Sequence, residues 1–199
     1  MSTLQRIGIT GAAVLLMAAI AQAQTGNPAP DSEPLAQGRI EGRFMLLDHY
    51  GEIVTDRSFR GKFLLIYFGY TACPDVCPTA MVIINQALEL LGDQAEQVQP
   101  LLISVDPDRD TPAVMRDFVS YFNPRLIGLT GSHQMIERVT QNFRIRFEKV
   151  RLPADPPDVY RVDHSAGVFL MGPDGTFLTK FAHSATPQQI AERIRDYIP

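Results

Sequence analysis

Two stretches of the chain are apolar without alternation. KFLLIYF, residues 62–68, and VQPLLISVD, residues 98–106, set large aliphatic and aromatic side chains next to one another. That pattern predicts strands buried on both faces, as in a sheet covered by helices. RLIGLTG, residues 125–131, predicts a third strand. Elsewhere the spacing becomes helical. Met81, Ile84, Leu88 and Leu91 recur along one face before Gly92 as a stop. Val114, Met115, Phe118, Val119 and Phe122 share a face behind Thr111-Pro112, and Met135, Ile136, Val139 and Phe143 do so behind a Ser132 cap. Short apolar runs on either side of Gly51 predict an N-terminal hairpin. AGVFLMGPDGTFLTKF, residues 166–181, predicts two strands joined by a Pro-Asp-Gly turn. Thr186 and Pro187 open a final helix. LPADPPDVYRVDHS, residues 152–165, reads as a proline-rich loop. Strands alternating with helices and closing in a hairpin and helix predict one α/β domain over residues 39–199. Its architecture is a sandwich with a mixed central sheet flanked by helices.

The residues before that domain have a different pattern. After Arg6, residues 7–23 carry no charge and end in Ala21-Gln22-Ala23, a small-x-small pattern. Residues 1–23 are therefore expected to be a signal peptide cleaved after Ala23, or a retained membrane anchor. Residues 24–38, rich in Pro, Gly, Ser and Ala, read as a flexible linker. Either reading places the domain outside the cytoplasm, in a bacterial periplasm or an equivalent compartment, soluble or tethered to the inner membrane. The formal net charge is −4 with no Lys/Arg cluster, which argues against nucleic acid as a partner. Core stripes account for most apolar residues, so a monomer with transient partners is expected.

The chain has two cysteines, Cys73 and Cys77, just beyond the first buried run. That is too few for a disulfide scaffold but enough for one bridge or one metal clip. The carboxyl end of a buried strand ahead of a helix is where α/β folds place their sites. Cys77 reads as standing directly before the helix start, where unpaired N–H groups and the dipole favour thiolate. Residues i and i+4 on a helix-like loop face the same way. Three intervening residues also widen the bite of the pair relative to a two-residue redox motif. A stabilising bridge would gain little from closing so short a loop. Of the four histidines, His49 and His133 read as solvated and His183 is ambiguous, whereas His164 stands directly before an apolar strand. Two thiolates and an imidazole would form a soft, low-coordinate set suited to Cu(I), or to Cu(II) with a further ligand. Structural zinc favours four closed ligands and iron–sulfur clusters four cysteines or similar. Spacing alone cannot bring residue 164 to the cysteines, so the residues leave open a copper site or a redox pair.

YFGYTACPDVCPTAM (67–81), ISVDPDRDTP (103–112), GLTGS (128–132) and VDHSAGVFLMGPDG (162–175), in that order, resemble the Sco/SenC family of copper-binding assembly proteins. The resemblance runs from about Phe44 to the C-terminus. It implies a thioredoxin-like fold and a metal site of Cys73, Cys77 and His164, with His164 at the station where thioredoxin-like enzymes carry a cis-proline loop. It also implies delivery of copper to the dinuclear centre of cytochrome c oxidase subunit II, or to another cuproprotein, with an upstream copper donor and a thiol reductant as further partners. Such a metallochaperone turns over no substrate and is not an enzyme. The alternative role is a thiol-disulfide reductase keeping that subunit's or another partner's cysteines reduced, with Cys73 attacking, or a redox sensor. A peroxidase finds little support in a dithiol loop hugged by prolines. Asp106 resembles an acidic residue near the family's metal; it is either a contact behind or beside the ion or simply part of helix-entry chemistry.

Overall fold

The computed structural model describes residues 40–151, 156, 159–165 and 167–199. The expected leader and linker, residues 1–38, lie outside them, as does part of the proline-rich loop.

The first hairpin is β1 (Met45–Asp48) against β2 (Ile53–Thr55), as its two apolar runs predict. The continuous apolar runs become β3 (Phe63–Gly69) and β4 (Val98–Ser104). They pair in parallel from Phe63 opposite Val98 to Gly69 opposite Ser104, and every residue of β3 is buried. Between them lies α1 (Val76–Leu91), with Gly92 beyond it at positive φ. α2 (Pro112–Ser120) is capped by Thr111, whose hydroxyl accepts the Val114 N–H, with Pro112 at its first position. It leads into β5 (Ile127–Thr130), and α3 (His133–Phe143) follows the Ser132 cap. The expected apolar face of α2 is narrower than its spacing suggests: Met115 and Val119 are buried, while Val114 is exposed.

The proline-rich stretch is a loop only in part. β6 (Phe147–Val150) and β7 (Arg161–His164) pair antiparallel as a separate two-stranded arm, with Phe147 opposite His164. β8 (Val168–Met171) and β9 (Phe177–Phe181) form the predicted second hairpin, with Gly175 in its turn at positive φ. α4 (Pro187–Arg195) closes the chain in a full capping box between Thr186 and Gln189.

The main sheet has seven strands in the order β2-β1-β5-β4-β3-β8-β9. β5, β4 and β3 are parallel and the outer pairings antiparallel, so the sheet is mixed. Successive side chains of β3 face opposite sides. Tyr67 faces a small cavity that it lines with Ala80 of α1 and Ile190 of α4. Phe68 packs on the other side against Phe143 of α3, with ring centroids 5.2 Å apart. Helices therefore cover both faces, and the carboxyl ends of β3 and β4 open onto the loop that carries Cys73 and leads into α1.

Candidate metal centre

Gly69 ends β3 and lets the chain turn closely over the next helix. A methyl group there would lie 2.9 Å from Cys77 Sγ and 2.8 Å from the Tyr67 ring. α1 begins at Val76, so Cys77 lies inside its first turn and not ahead of it. The unpaired N–H groups at the helix start consequently serve the other cysteine. The Cys77 N–H points at Cys73 Sγ, 3.4 Å away. Burial opposes the Cys73 thiolate, but the N–H groups of Cys77, Asp75 and Val76 and the Cys77 thiol outweigh it, and its pKa falls below the ordinary thiol value. The expectation of a helix-activated Cys77 is thereby reversed. Cys77 is fully buried, and burial, reinforced by the neighbouring Cys73 sulfur, pushes its pKa up to about 12. Both cysteines are free thiols.

His164 ends β7 and is brought across 87 residues of chain to place Nε2 3.9 Å from Cys77 Sγ. Its Nδ1 lies 3.3 Å from the Ser165 carbonyl. A carbonyl only accepts, so Nδ1 carries the proton and Nε2 offers its lone pair toward the sulfur. The Tyr67 and Tyr70 rings meet the imidazole edge-on, with centroids 6.1 and 6.2 Å away. Burial lowers the imidazole pKa, against the pull of the Ser165 carbonyl and Asp163, and so favours the neutral form a metal ligand needs. Tyr67 Oη completes the surroundings of Cys77 at 3.9 Å from its sulfur.

The three candidate donors adjoin one after another, Cys73 beside Cys77 and Cys77 beside His164. For a metal of zinc's size, about 2.3 Å from sulfur and about 2.0 Å from imidazole nitrogen, a trigonal arrangement separates those atoms by roughly 3.7 Å. The Cys77–His164 distance fits that spacing. Among the described residues no three His, Cys, Asp or Glu side chains are already closed around one point, so an ion would draw its donors inward.

Asp106 is fully buried, and its hydrogen bonds run to other partners than these donors. Its Oδ1 accepts from the Tyr160 hydroxyl at 2.8 Å and its Oδ2 pairs with Arg109. The Arg109 guanidinium lies 3.8 Å from the Tyr160 ring centroid and 5.5 Å from that of Tyr70. This stack ties the approach to α2 to Tyr160, just before β7, and to the tyrosine that flanks His164. Asp110, also fully buried, holds Thr71 of the cysteine loop and Ser104 of β4. Burial raises its carboxyl pKa against those hydrogen bonds. Sequence reasoning did not single out Tyr67, Tyr70, Arg109, Asp110 or Tyr160 for this site. The available signal was two hydroxyl-bearing aromatics in the otherwise apolar run before the cysteines.

The other histidines lie elsewhere. His49 is buried, not solvated, and its Nδ1 accepts the Gly128 N–H at 3.0 Å. His133 is exposed as expected and pairs with Asp108 at 2.7 Å. His183 is exposed at the turn after β9, beside the cavity under Tyr67.

Beside this geometry, comparison with known proteins gives one answer. The family model described as SCO1/SenC matches residues 32–199. Protein sco1 of Schizosaccharomyces pombe is 38% identical over 164 residues, 82% of this chain and 62% of that protein. The chain thus spans about three fifths of that relative's length. The structure of Bradyrhizobium japonicum ScoI with copper bound is similar at a TM-score of 0.72 and 42% identity, over 80% of this chain and 99% of that one. The crystal structure of yeast Sco1 with copper bound is similar at 0.72 and 32% identity, over 80% and 88%. The mixed sheet between helices, the order of the motifs and these likenesses agree: the chain belongs to the SCO1/SenC family.

Proposed function

We propose that this chain is a metallochaperone. It takes up one copper ion on Cys73, Cys77 and His164 and passes it by ligand exchange to the dinuclear copper centre of cytochrome c oxidase subunit II or another cuproprotein. The observation that carries this reading is the 3.9 Å approach of an imidazole Nε2, its tautomer set by Ser165, to the buried Cys77 sulfur. The copper-bound state of the similar Bradyrhizobium and yeast proteins supports it. Two thiolates and an imidazole suit Cu(I) and leave room for an acceptor thiolate to bind before all original bonds break. Asp106 acts behind the ion in this reading, through Arg109 and the tyrosines. Export led by residues 1–23, cleaved as a signal peptide or retained as an anchor ahead of the flexible linker 24–38, would put the domain in the compartment where such acceptors receive their metal. An upstream donor supplies the ion, and a reductant keeps the thiols open to it.

Anaerobic Cu(I) titration of the reduced protein against a competing chelator tests the reading. Tight one-to-one binding is expected. It should be abolished by Cys73→Ala or Cys77→Ala and weakened at least about tenfold by His164→Ala, the scale of one lost ligand or ligand-orienting contact. Affinity indifferent to all three substitutions rejects the proposal.

The contrast between the two thiols supports a second reading, a thiol-disulfide reductase. Here the Cys73 thiolate attacks a partner disulfide, releasing one partner thiolate and forming a mixed disulfide. Cys77, losing its proton, then displaces the second partner thiolate, leaving a Cys73–Cys77 bridge for an external dithiol to reduce. His164→Ala separates the two, because it leaves exchange intact while weakening copper binding.

A further inference from the structure

The loop between β3 and α1 carries one metal ligand, yet few hydrogen bonds hold it. At its start the Tyr70 hydroxyl accepts the Val162 N–H at 3.3 Å; among the described residues, the hydrogen bonds from residues 71–76 to anything beyond the loop and α1 all end on Asp110. Thr71 Oγ1 donates to Asp110 Oδ1 at 2.6 Å, and the Thr71 N–H donates to Oδ2 at 3.1 Å. Asp110 is itself held from two strands. Ser104 Oγ of β4 donates to Oδ2 at 2.6 Å, and Thr130 Oγ1 of β5 donates to the Asp110 carbonyl at 2.6 Å. A simple helix-entry role does not account for this, because Thr111 caps α2 with its own hydroxyl. Nor is the carboxylate answered by its neighbouring guanidinium, since Arg109 turns to Asp106. A buried carboxylate satisfied by hydroxyls and an N–H is a directional clamp: each donor must keep its place, or the charge is left exposed to an apolar interior.

We infer that Asp110 is a positioning residue for the metal site. Through Thr71 it sets the path of the chain out of β3, so that Cys73 Sγ meets the Cys77 N–H. The effect on copper rests on the function proposed above; the effect on the loop does not.

The test compares wild type with Thr71→Val, Thr71→Ser and Asp110→Asn as full chains. Thr71→Val keeps the side-chain shape and the backbone N–H but deletes the hydroxyl bond, so folding is preserved even if an Asp110 variant does not fold. Two readouts are taken. In the copper-free protein, hydrogen exchange at residues 72–77 should quicken about tenfold in Thr71→Val, the weight of one lost hydrogen bond, while the rest of α1 stays protected. Cu(I) affinity, by chelator competition, should fall by a similar factor, and Thr71→Ser should restore both. Unchanged exchange in Thr71→Val overturns the clamp. Faster exchange with unchanged affinity overturns its role in positioning the ligand. If wild type itself binds no copper, the functional proposal fails, and hydrogen exchange alone then decides whether the clamp exists.

Discussion

Cys73 and Cys77 are the same chemical group four residues apart, and their surroundings make them different reagents. Cys73 collects N–H groups from the start of α1, whereas Cys77 lies fully buried against Gly69 and Tyr67. Limited alkylation of the reduced apo-protein should therefore modify Cys73 first, with a rate midpoint below the ordinary thiol value. Cys77 should resist until far more alkaline conditions, its pKa being about 12. Peptide mapping by mass spectrometry decides this, and labelling of Cys77 first would contradict the assigned thiol order. The pair itself was legible, because no other cysteines compete and the strand-to-helix position is readable from apolar pattern. Which sulfur benefits from the helix start was not. That depends on two residues of helix boundary, since α1 starts at Val76 and not just after Cys77, and on a backbone turn at Asp75 with φ −142° and ψ −60° that no side-chain pattern encodes.

At the scale of elements, continuous apolar runs and capping residues proved the most readable signals. β3, β4, α3 and α4 lie where period and caps place them. The arm of β6 and β7 was hidden for a physical reason. FEKV and RVDH are four-residue strands, largely exposed and parted by prolines, so neither alternation nor a buried run marks them. Only pairing with each other makes them strands. That pairing sets His164 opposite Phe147, so the third proposed donor depends on an element the pattern could not reveal. The interior is more predictable in its response. Phe143 of α3 meets Phe68 at 5.2 Å and Phe169 at 5.5 Å, joining the helix to β3 and β8. Phe143→Ala should cost about 3–4 kcal/mol through lost burial and the cavity left behind. Urea unfolding measures it, and a loss below about 1 kcal/mol would mean that the site collapses around the smaller side chain.

For the whole molecule, stability is linked to pH through a histidine far from the cysteines. His49 joins the β1–β2 turn to β5 by accepting from Gly128, and burial holds its pKa below the usual imidazole value. In the unfolded chain His49 takes up a proton near pH 6.5, while the native state refuses it until lower pH. Stability should therefore be full above about pH 6.5 and fall as pH drops from there toward the native value. His49→Gln should reduce that loss, leaving the share due to His164, whose pKa is lowered in the same direction. Denaturant midpoints across this window decide the matter; identical slopes in variant and wild type would remove His49 from the account. One feature of the topology reaches further. Cys77 and His164 are separated by 87 residues. In an unfolded chain the two sulfurs are local neighbours, but recruiting the imidazole means closing that long loop, an entropic cost already met once β7 has docked. In the proposed site, a dithiol clip thus precedes the fold and the three-donor set follows it. By mass action, any ion that demands all three donors stabilises the folded chain by an amount that grows with the logarithm of its free concentration. Under the proposed function, loading the site would then also proofread the fold, since a misfolded molecule offers two of the proposed ligands where a correctly folded one offers three.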